Sequence, residues 1–193
     1  PRRITATFYA EWVLATYRDE AQQYVVPEYD AENSALLARN PYNSEFGERV
    51  AFVTANRSLH GLTADRAEFL GRRGRLFHPT ALDRIGLSGT VKPGLDPCAA
   101  IQVHLDIPPG ETREVSFLLG QGADREEALA LISRFQNPDE VAAAWEQATG
   151  FWDEFLTTVT VDTPDPAMDL MLNRWLPYQA LSCRLWGRSA FYQ

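Results

Sequence analysis

The chain has 193 residues, 45% of them hydrophobic and 23% charged, with a formal net charge of −8. That is enough chain for one ordinary domain, or a domain and part of a second, and the composition is that of a packed globular protein, not a disordered one. The negative balance argues against nucleic acid or an anionic membrane surface as the main partner, and no apolar run approaches the roughly 20 residues needed to span a bilayer.

The two cysteines, Cys98 and Cys183, lie too far apart in sequence to suggest a disulfide framework or a metal cluster. A reducing, cytoplasmic setting is expected. The opening stretch PRRITATFYAEW contains no secretory apolar core. Lys92 is the sole lysine among 18 basic residues, a compositional bias that carries little functional meaning.

Residues 3–14, RITATFYAEWVL, alternate. Ile4, Ala6, Phe8, Ala10, Trp12 and Leu14 take one side, and Thr5, Thr7, Tyr9 and Glu11 the other. Period two over this length predicts a half-buried strand. RVAFVTA at 49–55 predicts a second. AIQVHLDI at 100–107 sets Ile101, Val103, Leu105 and Ile107 against Gln102, His104 and Asp106. PPGE follows, then TREVSFLLG, and the pair reads as a hairpin. LLARNPYNSEFG and GRRGRLFHPTALDRIGLSGTVKPGLDPC are rich in Gly, Pro and Asn and read as long loops. The region up to about residue 122 is thus expected to be all-β.

The pattern then changes period. Asp124 with Glu127 resembles a capping box and opens REEALALISRF. Asn137 caps a second helix, with Pro138 in its first turn and Glu140 three residues past the cap. Val141, Trp145, Ala148, Trp152 and Phe155 then fall on one helical face. TVTVDTPDP interrupts it, giving a break near 157–165. A third helix is predicted from Asp165–Pro166 through AMDLMLNRWLPYQALSCRLWGRSA. It is apolar almost all round, with Met168, Leu170, Leu172, Trp175, Leu176, Leu181, Leu185 and Trp186. Such a helix is expected to be buried on every side, and the chain supplies too little to cover it. The sequence therefore reads as part of a longer protein.

The candidate chemical residues are few. His60, His78 and His104 have no second ligand at a metal-binding spacing. There is no His-Glu-x-x-His, Walker loop or G-x-S-x-G. Asp65 and Arg66 read as a local ion pair holding a loop. Arg39, Asn40, Tyr42 and Asn43 suit sugar hydroxyls, and suit an Asx-turn equally. Trp12, Trp145, Trp152, Trp175 and Trp186 could stack on sugar rings, but their spacings favour core positions. Arg184 and Arg188 sit on a mostly apolar segment, where a guanidinium needs an anion. Either they clamp a phosphate or carboxylate, or they pair with carboxylates elsewhere in the longer protein.

At LNRWLPYQALSCRLWGRSAFYQ the sequence resembles the inverting glycoside phosphorylases of the cellobiose and chitobiose phosphorylase type (glycoside hydrolase 94). EWVL, LLARNPYN, DRAEFLGRRG, LSGTVKPGLDPCAAIQ, LLGQG and TPDPAMDLMLNRWLPYQ are similar to the phosphorylase-like module of bacterial cyclic β-1,2-glucan synthases. The resemblance covers nearly the whole chain.

It implies a mixed β-then-α fold. Residues 1–122 would be the later part of a large antiparallel β-sandwich of galactose-mutarotase-like supersandwich type. Residues 123–160 would be linker helices, and residues 161–193 the opening of an (α/α)6 catalytic barrel. It also implies that Arg188, in the RSA-aromatic-Tyr element, binds phosphate. The catalytic acid would come from beyond this chain, which would then be inactive alone. Inorganic phosphate would be the co-substrate, with no cofactor or metal. A β-glucan oligosaccharide and the rest of the barrel would be the partners. No nucleic acid or membrane contact is expected of this segment, although the longer enzyme could be anchored in the bacterial inner membrane. The alternatives are a non-catalytic carbohydrate-binding sandwich and a soluble disaccharide phosphorylase.

Overall fold

The computed structural model describes residues 1–72 and 74–187. Contacts divide the chain into two units, Pro1–Glu140 and Val141–Gln193. In the first, period-two patterning becomes two antiparallel sheets. One is three-stranded, in the order β1 (Arg2–Glu11), β6 (Pro97–Ile107), β5 (Gly61–Asp65). The other runs β2 (Val26–Asp30), β3 (Ala35–Arg39), β4 (Val50–Ala55), β7 (Phe117–Gly122). The longest pairing, β1 with β6, keeps register from Arg2 opposite Ile107 to Glu11 opposite Cys98.

The core between the sheets follows from the alternation. Phe8 and Trp12 meet Leu36, Ala38, Val53, Ile101, Val103 and Leu105. The second sheet is covered on its outer face as well. There Leu37, Val50 and Phe52 pack on Ala128 and Ile132 of helix α3 (Arg125–Phe135). The outer face of the first sheet receives Phe69 and Leu70 from helix α2 (Arg66–Leu70), with Ala81, against Cys98 and Ala100. Strands covered on both sides lose the polar half of their alternation, and every residue of β4 is buried.

Three expectations are corrected. LLARN is not loop, because its first four residues belong to β3, and Leu36, Leu37 and Ala38 are buried, Leu36 and Ala38 in the inter-sheet core and Leu37 against α3. The strands around PPGE do not form a hairpin. The turn closes, with Glu111 N donating to Pro108 O at 3.2 Å. But β6 is already flanked by β1 and β5, so it offers no free edge, and β7 crosses to pair with β4 from Val50–Gly122 to Ala55–Phe117. Short helices, α1 (Arg18–Ala21) and α2, also interrupt the all-β region. Strands β2 and β5 were not anticipated.

The helix starts are where the caps place them. Asp124 accepts from Glu127 N at 2.9 Å, while the Glu127 carboxylate accepts from Ala123 N, one residue before the cap. Asn137 accepts from Asp139 N at 3.0 Å at the start of α4 (Pro138–Thr157). Gly122 lets α3 seat closely, since a Cβ there would lie 2.8 Å from Asp124 O.

In the second unit the Trp152 ring is the hub of an aromatic cluster. Its centroid lies 5.1 Å from Tyr178, 5.6 Å from Trp186 and 6.1 Å from Phe155. The facing helix is composite: α5 (Pro166–Leu170), a π-helical stretch Met171–Trp175, α6 (Leu176–Gln179) and a second π-helical stretch Ala180–Trp186. The widened winding before Pro177 suits a residue that has no N–H to give to an i−4 carbonyl. Burial on every side is not observed. Met168, Leu170, Trp175, Leu176, Leu185 and Trp186 are exposed, because the aromatic cluster closes only the side facing α4. Of the tryptophans, Trp12 is core, while Trp145 is 71% exposed.

Candidate functional site

A ring of four charges ties three of the family-like stretches of the first unit together. Glu11 ends β1, Arg66 begins α2, Arg18 begins α1, and Asp96 precedes β6. Arg66 Nε reaches Glu11 Oε1 at 2.8 Å and its Nη1 reaches Asp96 Oδ2 at 3.4 Å. Arg18 Nε lies 3.2 Å from Glu11 Oε2, and its Nη2 pairs with Asp96 Oδ1. Each guanidinium spans both carboxylates, and the four side chains are only 26–30% exposed. The Tyr9 hydroxyl adds a bond to Glu11 at 2.8 Å. Burial works to raise the Glu11 pKa, but the bonds from Arg66 and Tyr9 and the charges of both arginines outweigh it, and the carboxyl titrates below its ordinary range. Burial pushes the Tyr9 hydroxyl and the Cys98 thiol upward.

Asp65 is therefore not the partner of Arg66. Its carboxylate caps α2, accepting from Ala67 N at 2.9 Å. Glu68 locks the next family-like stretch, accepting from Ser88 N at 2.8 Å, Ser88 Oγ at 2.6 Å and Thr63 Oγ1 at 2.6 Å. Asn40 and Asn43 make Asx-turns: Asn40 Oδ1 accepts from Tyr42 N at 3.1 Å, and Asn43 Oδ1 from Phe46 N at 2.9 Å. Asn40 also donates to Leu14 O at 3.2 Å, joining LLARNPYN to EWVL. His60 and His104 stack with centroids 3.4 Å apart, and His78 meets Asp83 at 3.3 Å. Among the described residues, no group of three or more His, Cys, Asp or Glu could hold a metal ion. No helix among them is long and apolar enough to cross a membrane.

The second unit carries the residues expected to face a substrate. Asp165 caps α5, accepting from Ala167 N at 2.9 Å. Asp169 and Asn173 follow at intervals of four and turn to the preceding extended segment. Asp169 accepts from Thr163 N at 2.9 Å, and Asn173 both accepts from Val161 N and donates to Val161 O, each at 2.8 Å. An apolar groove of about 580 Å³ runs between the helices, lined by Trp152, Leu156, Leu170, Met171, Arg174, Trp175 and Tyr178. Arg184 is exposed on the second π-helical stretch. Arg188 lies outside the described residues.

The charge ring escaped the reading from sequence. Its signal was present: Glu11, Arg66 and Asp96 are charged residues inside three of the stretches on which the family resemblance rests.

Comparison with known proteins agrees with that resemblance. Residues 1–138 match the family described as Glycosyl hydrolase 94, supersandwich domain. Residues 151–193 match the Glycosyl hydrolase 94 superfamily, catalytic domain. The whole chain is 39% identical to the cyclic beta-(1,2)-glucan synthase NdvB of Rhizobium meliloti (strain 1021), covering 7% of that protein. It is 26% identical to the N,N'-diacetylchitobiose phosphorylase of Vibrio furnissii, again over the whole chain and covering 24% of the relative. Over 120 residues it is 31% identical to the cellobionic acid phosphorylase of Neurospora crassa, 60% of this chain and 14% of the relative. The chain thus spans between 7% and about a quarter of the lengths of these relatives. With a supersandwich match over most of its length and a catalytic-domain match in its second unit, the chain belongs to the glycosyl hydrolase 94 family of carbohydrate-active enzymes.

Proposed function

We propose that this chain is part of the phosphorylase-like module of a cyclic β-1,2-glucan synthase, which trims or transfers β-glucan chains by inverting phosphorolysis. The observation that carries the reading is the 39% identity to such a synthase along the entire chain. In this reading residues 1–122 are the sandwich, 123–160 the linker helices and 161–193 the opening of the catalytic barrel.

In the reaction, a phosphate oxygen attacks the anomeric carbon. The glycosidic C–O bond breaks, and a carboxylic acid on the opposite face protonates the departing oxygen. The product is a glucosyl phosphate of inverted configuration. Phosphate is an anion approaching a centre near a carboxyl group, and Arg188 supplies the planar fork that neutralises and orients it. The acid comes from outside this chain, and the reaction requires no metal or cofactor.

The test is release of glucose 1-phosphate from β-1,2-glucan by the full-length enzyme with phosphate varied. The wild type should release it. Arg188→Ala should lose on the order of a hundredfold in kcat/KM, the scale of one electrostatic donor, with Arg188→Lys rescuing poorly. The chain of 193 residues alone should release none. A second reading, a disaccharide phosphorylase, has support from the whole-length similarity to chitobiose phosphorylase. Preference for a β-linked disaccharide over β-1,2-glucan would favour it.

A further inference from the structure

The composite helix has two unlike sides. One turns Trp175, Tyr178 and Trp186 into the aromatic cluster around Trp152. The other carries a shallow hollow of about 480 Å³ lined by Leu176, Gln179, Ala180, Cys183 and Arg184. Its long polar heads are the Gln179 amide and the Arg184 guanidinium. They stand five residues apart, a spacing that diverges around an α-helix but returns toward the same face across a π turn. The intervening stretch is π-helical, and it closes with Gly187 N donating to Ser182 O at 2.8 Å, five residues back. The local winding thus brings the guanidinium and the amide onto one side of the helix.

Arg174, on the groove side, reaches Asp153 at 3.5 Å. Arg184 has no such carboxylate among the described residues. Its neighbours in the hollow are mostly apolar, and its planar fork of N–H donors matches the oxygens of an anion.

We propose that Arg184, aligned with Gln179 by the π turn, is a further anion-binding residue of the catalytic domain, holding the phosphate co-substrate in addition to Arg188. The inference rests on the phosphorolytic reading above. Arg184 supplies charge-assisted donors to phosphate oxygens. Gln179 supplies one neutral donor to the same anion, or an acceptor for the sugar hydroxyl beside it.

The experiment is steady-state phosphorolysis by the full-length enzyme, with inorganic phosphate varied at saturating glucan, for wild type, Arg184→Gln, Arg184→Lys and Gln179→Ala. Loss of one charge-assisted contact should raise the KM for phosphate about tenfold or more in Arg184→Gln, with the KM for glucan unchanged. Arg184→Lys should recover part of the loss, and Gln179→Ala should show a smaller phosphate-specific rise. Thermal unfolding with and without inorganic phosphate gives a second readout: phosphate should raise the wild-type melting temperature more than that of Arg184→Gln. If Arg184→Gln keeps the wild-type KM for phosphate, the inference falls while the phosphorolytic reading stands. It also falls if kcat and melting temperature drop with no change specific to phosphate, which would mark Arg184 as a structural ion-pair partner. If the wild type performs no phosphorolysis, both readings fall.

Discussion

Glu11 shows how one side chain can join separate parts of a sequence. It accepts from Tyr9 within its own strand, pairs with Arg18 in the next helix, and meets Arg66 from a position 55 residues away. Arg66 and Arg18 then carry the connection on to Asp96. The ring is about a quarter to a third exposed, so its worth lies between a surface pair and a buried one. Replacing Glu11 by Gln keeps the shape and removes the charge, leaving two guanidinium groups facing one carboxylate. We expect a loss of about 1–2 kcal/mol at neutral pH, measured by urea unfolding. The folded-state pKa of Glu11 is depressed below its ordinary value of 4.5. Its contribution is therefore fully present above that value and is lost as pH falls through the folded pKa. The gap between wild type and Glu11→Gln should stay constant from neutral down to about pH 5 and shrink toward about pH 3. A gap that keeps its full size in acid would mean that the Glu11 charge is not what stabilises the ring.

At the scale of elements, the composite helix organises the strand-like segment before it. Asp165, Asp169 and Asn173 recur every four residues, so one side of the helix presents three polar groups in a row. Asp165 caps its own helix, while Asp169 and Asn173 hold Thr163 and Val161. Asn173→Ala removes both bonds to Val161. Amide exchange at Val161 should then speed up about tenfold, corresponding to roughly 1 kcal/mol for a partly solvated pair of bonds. An unchanged rate would show that the segment is held in place by something else. This helix start was legible, because Asp165 and Pro166 form a cap and first turn that act locally. Strands β1, β4 and β6 were legible for the same reason, since period two is a local property. What failed was non-local. The hairpin misreading followed from not knowing that β6 already had two neighbours. β3 looked like loop because sheet cover on both faces removes alternation and Asn40–Pro41 follows at once. The charge ring depends on pairings dozens of residues apart, so its members looked like ordinary surface charges. Arg184 was visible as a charge on an apolar segment, but the π winding that aligns it with Gln179 was not.

At the scale of the whole chain, burial is distributed unevenly. Every buried hydrophobic residue of the described chain lies in the first unit, the last being Ile132 on α3. In the second unit none of the described residues is buried, although large aromatic rings meet there. Hydrophobic stabilisation scales with the area removed from water, at about 25 cal/mol per Å², and most helical stability in proteins comes from packing of the apolar face. The two units should therefore open at different free-energy costs. Native-state hydrogen exchange on the 193-residue chain tests this directly. Amides of Leu36, Val53, Ile101 and Val103 should exchange only through global unfolding, with a strong dependence on denaturant. Amides within residues 145–155 and 176–184 should exchange at least about a hundredfold faster, with a weak denaturant dependence that reflects local opening. Within the helices, the slowest amides should be those nearest Trp152, where the rings converge. If the helical amides matched the strand amides in both rate and denaturant dependence, the chain would be a single cooperative structure and the division after Glu140 would have no thermodynamic meaning.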